Sequence, residues 1–198
     1  AKPAAATATA KPAAAKATTP AAKPAAKTTT PAKTTTTPAQ PAAQVETKAA
    51  SPFAGATLSQ LEPTGTVGSQ SHISLSSSQW SNATQIVQAT ENMHLSPYAA
   101  TIAVATSMQE SKLQNLNVAV DHDSLGLFQQ RPSCGWGSPS QLEDPNYAAT
   151  AFLKNLPSSY QNMSLHTAAQ DVQGSFDGYL YAQWEDQAAH IVSTIVNS

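Results

Sequence analysis

Apolar and polar positions follow a helical period along the C-terminal part of the chain. Apolar side chains recur every three or four residues between Ser81 and about Met93, which predicts a first helix there. The dipeptide Ser96-Pro97 then combines an N-cap residue with proline at the first helical position. The residues that follow, from Pro97 to about Ser111, are apolar nearly all round, so we expect this second helix to lie in the middle of a core.

Further helices are predicted by the same two features, capped prolines and apolar spacing. They are a short helix from Ser138-Pro139 to Glu143, a longer one from Asp144-Pro145 to about Leu156, one from Ser164 or Thr167 through Val172, and one after Gly178 through Ile195. Residues 80–198 are therefore predicted to form one all-α domain, since roughly 120 residues can build one ordinary core.

Residues 51–79 lack this period and are rich in Ser, Gly and Thr, with two prolines. We interpret them as a linker without assigned secondary structure. The apolar residues within it are candidates for docking on the folded domain: Phe53, Leu58, Leu61, Ile73 and Leu75.

The first 50 residues have a composition that does not favour folding. Ala, Thr, Pro and Lys account for 46 of them, and Leu, Ile, Phe, Met and aromatic residues are missing from this segment. Too little apolar surface is available to offset chain entropy, so we predict a disordered tail over residues 1–50. Its prolines and mutually repelling lysines favour an extended spacer that reaches on the order of 100 Å.

Charge divides the chain at the same point. Residues 1–50 carry seven Lys and one Glu, whereas residues 51–198 carry three basic and eleven acidic residues. Two interpretations of the tail stay open, an inert solubilising spacer and a segment weakly attracted to anionic polymers such as wall teichoic acids or nucleic acid. The acidic body argues against specific nucleic-acid binding.

Several kinds of protein and site are excluded. No apolar run approaches the ~18–20 residues that span a bilayer. A single cysteine, Cys134, excludes an internal disulfide framework and a multi-cysteine metal site. His122 lies between Asp121 and Asp123, but three consecutive residues rarely converge on one ion. We therefore expect no metal and no cofactor, and we expect the protein to be a monomer.

Glu110 is the candidate catalytic group. On a helix it shares its stripe with small or apolar residues: Ile102, Ala103, Thr106 and Ser107. A carboxylate in such surroundings loses hydration, so its pKa should rise, and a Glu protonated near neutral pH can act as a general acid. The alternative is a Glu at a fraying helix end that points into water.

The segment after Glu110, residues 115–131, has no helical period. Gly126 permits an unusual backbone angle or a close approach. Gln129 and Gln130 carry neutral donor and acceptor groups of the kind that bind sugar hydroxyls and acetamides. Trp136 lies between two glycines and is interpreted either as the wall of a sugar subsite or as a core aromatic residue.

Together these residues resemble a known family. Glu110-Ser111, followed by Gly126-Leu127-Phe128-Gln129, resembles the Glu-Ser … Gly-Leu-Met-Gln signature of lytic transglycosylases and goose-type lysozymes. The stretch 108–156 resembles the lysozyme-like domains of secreted actinobacterial proteins and phage tail proteins, and residues 168–173 resemble a later stretch of that group. The resemblance covers about residues 80–198.

The resemblance implies a lysozyme-like helical fold and a secreted enzyme of the cell wall. Its substrate would be peptidoglycan glycan strands, cleaved at the β-1,4 bond between N-acetylmuramic acid and N-acetylglucosamine. Glu110 would be the general acid and Gln129 a substrate contact. The Ala-Tyr-Asn motif of the classical transglycosylases is not found, which leaves Tyr179 and Tyr181 as candidates for the tyrosine that orients the acid.

The reaction type stays open between lysis and hydrolysis. Hydrolysis usually needs a second carboxylate. Asp121 or Asp123 would supply it by holding a water molecule or stabilising the oxocarbenium-like centre, or both instead fix the loop through hydrogen bonds. Lytic transglycosylation needs only one carboxyl group and is favoured here. A non-catalytic wall-binding module and a structural part of a phage tail or surface appendage are the alternatives to an enzyme.

Overall fold

The computed structural model describes residues 50–175 and 177–198. The predicted tail lies outside these residues apart from Ala50, as does Phe176. The described part is mostly helical and contains no β-strand, which confirms the prediction of a helical protein. Its helices are α1 (Leu58–Leu61), α2 (Ser77–Asn92), α3 (Pro97–Ser111), α4 (Pro139–Leu142), α5 (Pro145–Lys154), α6 (Leu165–Gln173), α7 (Tyr179–Ala182) and α8 (Glu185–Val196).

Helix α3 is the central element. Pro97 occupies its first turn, Lys112 ends it in the left-handed conformation, and every residue from Tyr98 to Met108 is buried. Helices α1, α2, α5, α6, α7 and α8 all pack against it. The predicted bounds and central position of α3 are confirmed, because a helix that is apolar nearly all round requires neighbours on every side. None of the described helices has the length and apolarity needed to cross a membrane.

Helix α1 lies in the segment interpreted as a linker without assigned secondary structure, and two of the predicted helices differ in their bounds or continuity. Helix α2 begins at Ser77, four residues before the predicted start, because Ser76 and Gln79 form a reciprocal capping box. The predicted last helix is divided at Gln183 and Trp184 into α7 and α8.

Residues 51–75, interpreted from sequence as part of a linker, pack on the helices in the structure, and we call them the strap. Phe53 and Leu61 are buried in the common core, and Ile73 and Leu75 pack against it. Leu58, by contrast, is 58% exposed. The strap belongs to the same folded unit as the helices.

Candidate active site around Glu110

Glu110 lies in the last turn of α3 and is half-buried. The helical stripe below it consists of buried residues, as the sequence predicted. Burial raises the pKa of the Glu110 carboxyl group, and this effect outweighs the hydrogen bonds from Tyr181 and Gln173 and the charge of Lys112, which lower it. The result is a carboxyl group that keeps its proton to a higher pH than an ordinary glutamate while remaining accessible from outside.

Tyr181 is the tyrosine that contacts this carboxyl group. Its hydroxyl donates a hydrogen bond of 2.7 Å to Glu110 Oε1. Burial and the nearby Glu110 raise the pKa of Tyr181, so the hydroxyl remains protonated and acts as a donor. Of the two candidates named from sequence, Tyr179 does not occupy this position. It is 66% exposed, and its ring stacks on His166 with centroids 4.6 Å apart.

The loop after α3 closes on itself and is tied back to Ser111. Leu125 and Gln130 form an antiparallel pair, with N–O distances of 2.9 and 3.1 Å. Gly126 adopts φ +72°, and a Cβ at this position would lie 2.0 Å from the Leu142 carbonyl oxygen, so only glycine fits. The Ser111 hydroxyl donates to the Leu127 carbonyl at 2.8 Å. The Glu-Ser pair and the Gly-Leu-Phe-Gln loop are therefore physically joined.

The side chain of Gln129 lies at the surface beside Glu110, whereas that of Gln130 is buried. Gln129 is half-buried and lines the same depression as Glu110, and its Nε2 donates to the Gly126 carbonyl at 3.0 Å. Gln130 is only 2% exposed, and its Nε2 lies 3.3 Å from the Ala148 carbonyl. Gln129 is a turn residue with φ +48° between Leu125 and Gln130, whereas Gln130 is a member of the pair, and their side chains leave the backbone in different directions. The structure thus places Gln130 in the interior and not among substrate contacts.

Two depressions meet at Glu110. The larger, of about 550 Å³, is lined by polar side chains that include Gln129, Arg131 and Gln173. The smaller, of about 230 Å³, extends past Tyr181 to Leu180. Glu110 and Ser175 contribute to both. A chain molecule lying across these depressions would pass directly over the carboxyl group.

Asp123 stabilises the loop. Its carboxylate accepts hydrogen bonds from Arg131 Nε at 2.8 Å, from the Ser133 amide at 2.7 Å and from the Ser133 hydroxyl at 2.9 Å. The guanidinium of Arg131 and the Ser133 donors hold the pKa of Asp123 well below its ordinary range. These contacts favour the loop-fixing interpretation of Asp123, which the sequence left open.

The other candidates contribute less to the cleft. Asp121 is exposed and lines the larger depression, where it lies 2.7 Å from His122 Nδ1. Trp136 is half-buried and lines neither depression at Glu110, and its carbonyl accepts a hydrogen bond from the Tyr147 hydroxyl at 3.3 Å. No group of three metal-ligating side chains occurs within residues 50–175 and 177–198.

Several residues of the site carry no feature that sequence reasoning used. Gln109 Oε1 accepts hydrogen bonds from Trp184 Nε1 at 2.8 Å and from Gln183 Nε2 at 3.2 Å. Lys112 Nζ lies 4.6 Å from the centre of the Trp184 ring. Gln173 Nε2 donates to the Phe128 carbonyl at 2.9 Å. The only sequence indication was the position of Gln173 in the stretch that resembles the lysozyme-like group.

Comparison with known proteins adds no assignment. No model of a known protein family matches the chain, and no curated protein matches it significantly. Function must be argued from the cleft itself.

Proposed function

We propose that residues 51–198, which comprise the strap and the helices, form a lysozyme-like enzyme that cleaves peptidoglycan. The bond cleaved is the β-1,4 bond between N-acetylmuramic acid and N-acetylglucosamine, and Glu110 serves as general acid and then as base. The observation that carries this proposal is a half-buried carboxyl group with a raised pKa, held by a tyrosine where two depressions meet. Secretion to the cell wall and the attraction of the tail to anionic wall polymers are parts of the same proposal.

The reaction we favour needs one carboxyl group. Protonated Glu110 donates its proton to the glycosidic oxygen as the bond from that oxygen to C1 breaks. The C6 hydroxyl of the same sugar attacks C1, forms a 1,6-anhydro ring and returns its proton to the Glu110 carboxylate. No water is consumed, and the enzyme ends in the protonation state in which it began.

The second carboxylate that hydrolysis usually employs has weaker support. Asp123 is engaged by Arg131 and Ser133, and its lowered pKa makes it a poor base. Asp121 lines the larger depression, but it is exposed and pairs with His122. This arrangement supports transglycosylation over hydrolysis.

The polar side chains of the larger depression suit a sugar with amide substituents. Gln129 and Gln173 bring carboxamides to its wall, and Ser124 and Ser175 bring hydroxyl groups. Such groups pair with the acetamides and hydroxyls of a glycan without requiring charge on the ligand. The proposed partner is therefore the glycan strand itself.

The test is mass spectrometry of purified peptidoglycan treated with the full chain. Anhydro-muramoyl ends are expected, whereas reducing ends heavier by one water would indicate a hydrolase. Glu110→Gln should reduce product formation at least about 100-fold. Glu143→Gln, which alters a half-exposed carboxyl group directly after α4, is the matched control and should retain activity. Sedimentation with the wall but no soluble fragments from the parent protein would contradict the enzyme and favour a wall-binding module.

A further inference from the structure

The strap contains a side chain that joins two helices of the active site. Gln70 Nε2 donates to the Ala182 carbonyl at 3.0 Å and to the Val67 carbonyl at 3.3 Å. Gln70 Oε1 accepts from the Asp186 amide at 3.0 Å. One carboxamide thus binds the last residue of α7 and the first turn of α8.

These two backbone groups have no partner within their own helices. The last carbonyls and the first amides of any α-helix lack an intrahelical partner. Helices α7 and α8 are separated only by Gln183 and Trp184, and Gln70 spans that junction. Ser71 adds to the same contact, since its amide donates to the Gln183 carbonyl at 2.7 Å and its hydroxyl to Gln183 Oε1 at 2.8 Å.

The α7–α8 junction in turn holds the end of α3. Tyr181 donates to Glu110, and both Trp184 and Gln183 donate to Gln109. These three side chains all come from the four residues 181–184. A small rotation of the junction would therefore move together the Tyr181 donor to Glu110 and both side-chain donors to Gln109 Oε1.

We propose that Gln70 is a positioning residue for Glu110, acting through the α7–α8 junction and the Tyr181 hydroxyl. This inference rests on the proposed function. Gln70 lines neither depression at Glu110 and does not touch the substrate. Its role is to fix the direction from which the tyrosine approaches the carboxyl group.

The experiment compares Gln70→Met with Gln187→Met in the full chain. Gln187 is the matched control because it also bonds the strap to α8, with Nε2 to the Ile73 carbonyl at 2.6 Å and Oε1 to the Ile73 amide at 2.8 Å, but away from the junction. Both substitutions remove carboxamide hydrogen bonds and keep the side-chain volume. Both should lower Tm, so stability alone does not separate them.

Activity should separate the two variants. Gln70→Met should lower kcat roughly tenfold with KM within about twofold, because the carboxyl group is misplaced while the depressions are intact. The basic limb of the pH–rate profile should move to higher pH, since the bond from Tyr181 lowers the pKa of Glu110. Gln187→Met should have the same kcat, KM and pH–rate profile as the parent.

Two further measurements do not depend on activity. The carboxyl ¹³C shift of Glu110, followed by NMR titration, should report a higher pKa in Gln70→Met, and the Trp184 indole proton should exchange faster with solvent. Unchanged values of both in a folded Gln70→Met protein would overturn the inference. If Gln70→Met showed these NMR changes relative to the parent but the parent cleaved no peptidoglycan, the proposed function would fail while the coupling of Gln70 to Glu110 would stand.

Discussion

Glu110 and Glu185 are two carboxyl groups of the same fold that differ in solvent access and in hydrogen bonding. Burial raises the pKa of both, that of Glu185 to about 7. Glu110 is half-exposed, receives a hydrogen bond from Tyr181 and opens on two depressions. Glu185 is 0% exposed, and neither of its oxygens has a hydrogen-bond partner among the described residues. A raised pKa alone therefore does not identify a catalytic acid, which also requires access and a partner that fixes its direction.

The surroundings of Glu185 explain why its pKa is raised. Glu62 of the strap lies near it, and this second negative charge adds to the effect of burial on the pKa of Glu185. Burial and Asp186 raise the pKa of Glu62 in turn, and His190 lowers it less. A neutral Glu185 avoids an unpaired buried charge, whose cost would be far larger than that of an unpaired neutral carboxyl group.

The largest expected difference between the two groups is in catalysis. Glu110→Gln should reduce the rate of wall cleavage at least about 100-fold, because a carboxamide cannot supply the proton. Glu185→Gln should leave kcat/KM within about twofold, measured on the same peptidoglycan. An equal loss of cleavage rate in the two variants would mean that Glu185 takes part in catalysis and that solvent access does not distinguish the two carboxyl groups.

The second largest difference is in the pH dependence of stability. The pKa of Glu185 is about 7 in the folded protein and has an ordinary value of 4.5. The folded state therefore holds this proton to higher pH than the unfolded chain, and the free energy of unfolding falls as the pH rises from about 4.5 to about 7. The full loss is on the order of 3 kcal/mol.

Urea unfolding of the parent and of Glu185→Gln between pH 4 and pH 8 measures this effect. The buried carboxamide of the variant lowers the free energy of unfolding at every pH, because its amide NH2 group would also lack a partner. The slope of the free energy of unfolding against pH is therefore the informative quantity. The slope of the variant should be shallower than that of the parent between about pH 4.5 and pH 7. Parallel curves would show that Glu185 ionises normally in the folded protein.

A smaller effect is expected from Tyr181→Phe. Loss of the hydroxyl should lower kcat roughly tenfold, because the carboxyl group is no longer held in one direction. The pKa of Glu110 should rise, since the bond from Tyr181 lowers it, and the basic limb of the pH–rate profile should move to higher pH. Tyr179→Phe is the control and should match the parent in kcat and in the position of the basic limb. A limb that moves to lower pH would contradict the assigned direction of this hydrogen bond.

The smallest effect on catalysis is expected from Asp123→Asn. The substitution weakens the contacts to Arg131 and Ser133 without touching Glu110. We expect a small decrease in Tm, followed by differential scanning calorimetry, with kcat within about twofold of the parent. A loss of activity as large as that of Glu110→Gln, at unchanged Tm, would instead make Asp123 a second catalytic carboxylate.

The features that depend on interactions between residues close in sequence could be predicted, namely the bounds of α3 and the surroundings of Glu110. The bounds of α3 follow from Ser96-Pro97 and from an apolar run that must be buried, and both are visible within a few residues. The raised pKa of Glu110 follows from the same helix, because its stripe neighbours are fixed by the helical repeat.

Other features depend on pairing and on tertiary contacts. The different orientations of Gln129 and Gln130 arise from the turn between Leu125 and Gln130, in which Gln129 adopts φ +48°. Neither this pairing nor the backbone angle can be read from the loop sequence alone. The preference for Tyr181 over Tyr179 depends on how α7 lies against α3. The docking of Phe53, Leu61, Ile73 and Leu75 was predicted and is confirmed. The path of the strap was not predicted, because isolated apolar residues without a period do not specify secondary structure or contacts.

The contact between the strap and the α7–α8 junction has a consequence for where this domain begins. A protein shortened to start at Ser77 would retain every side chain that faces the cleft, yet the amide that holds the junction would be gone. A gene fusion or rearrangement that keeps the α7–α8 junction held as it is here would have to carry the strap along with the helices. The structural domain therefore begins at the strap, before its first long helix.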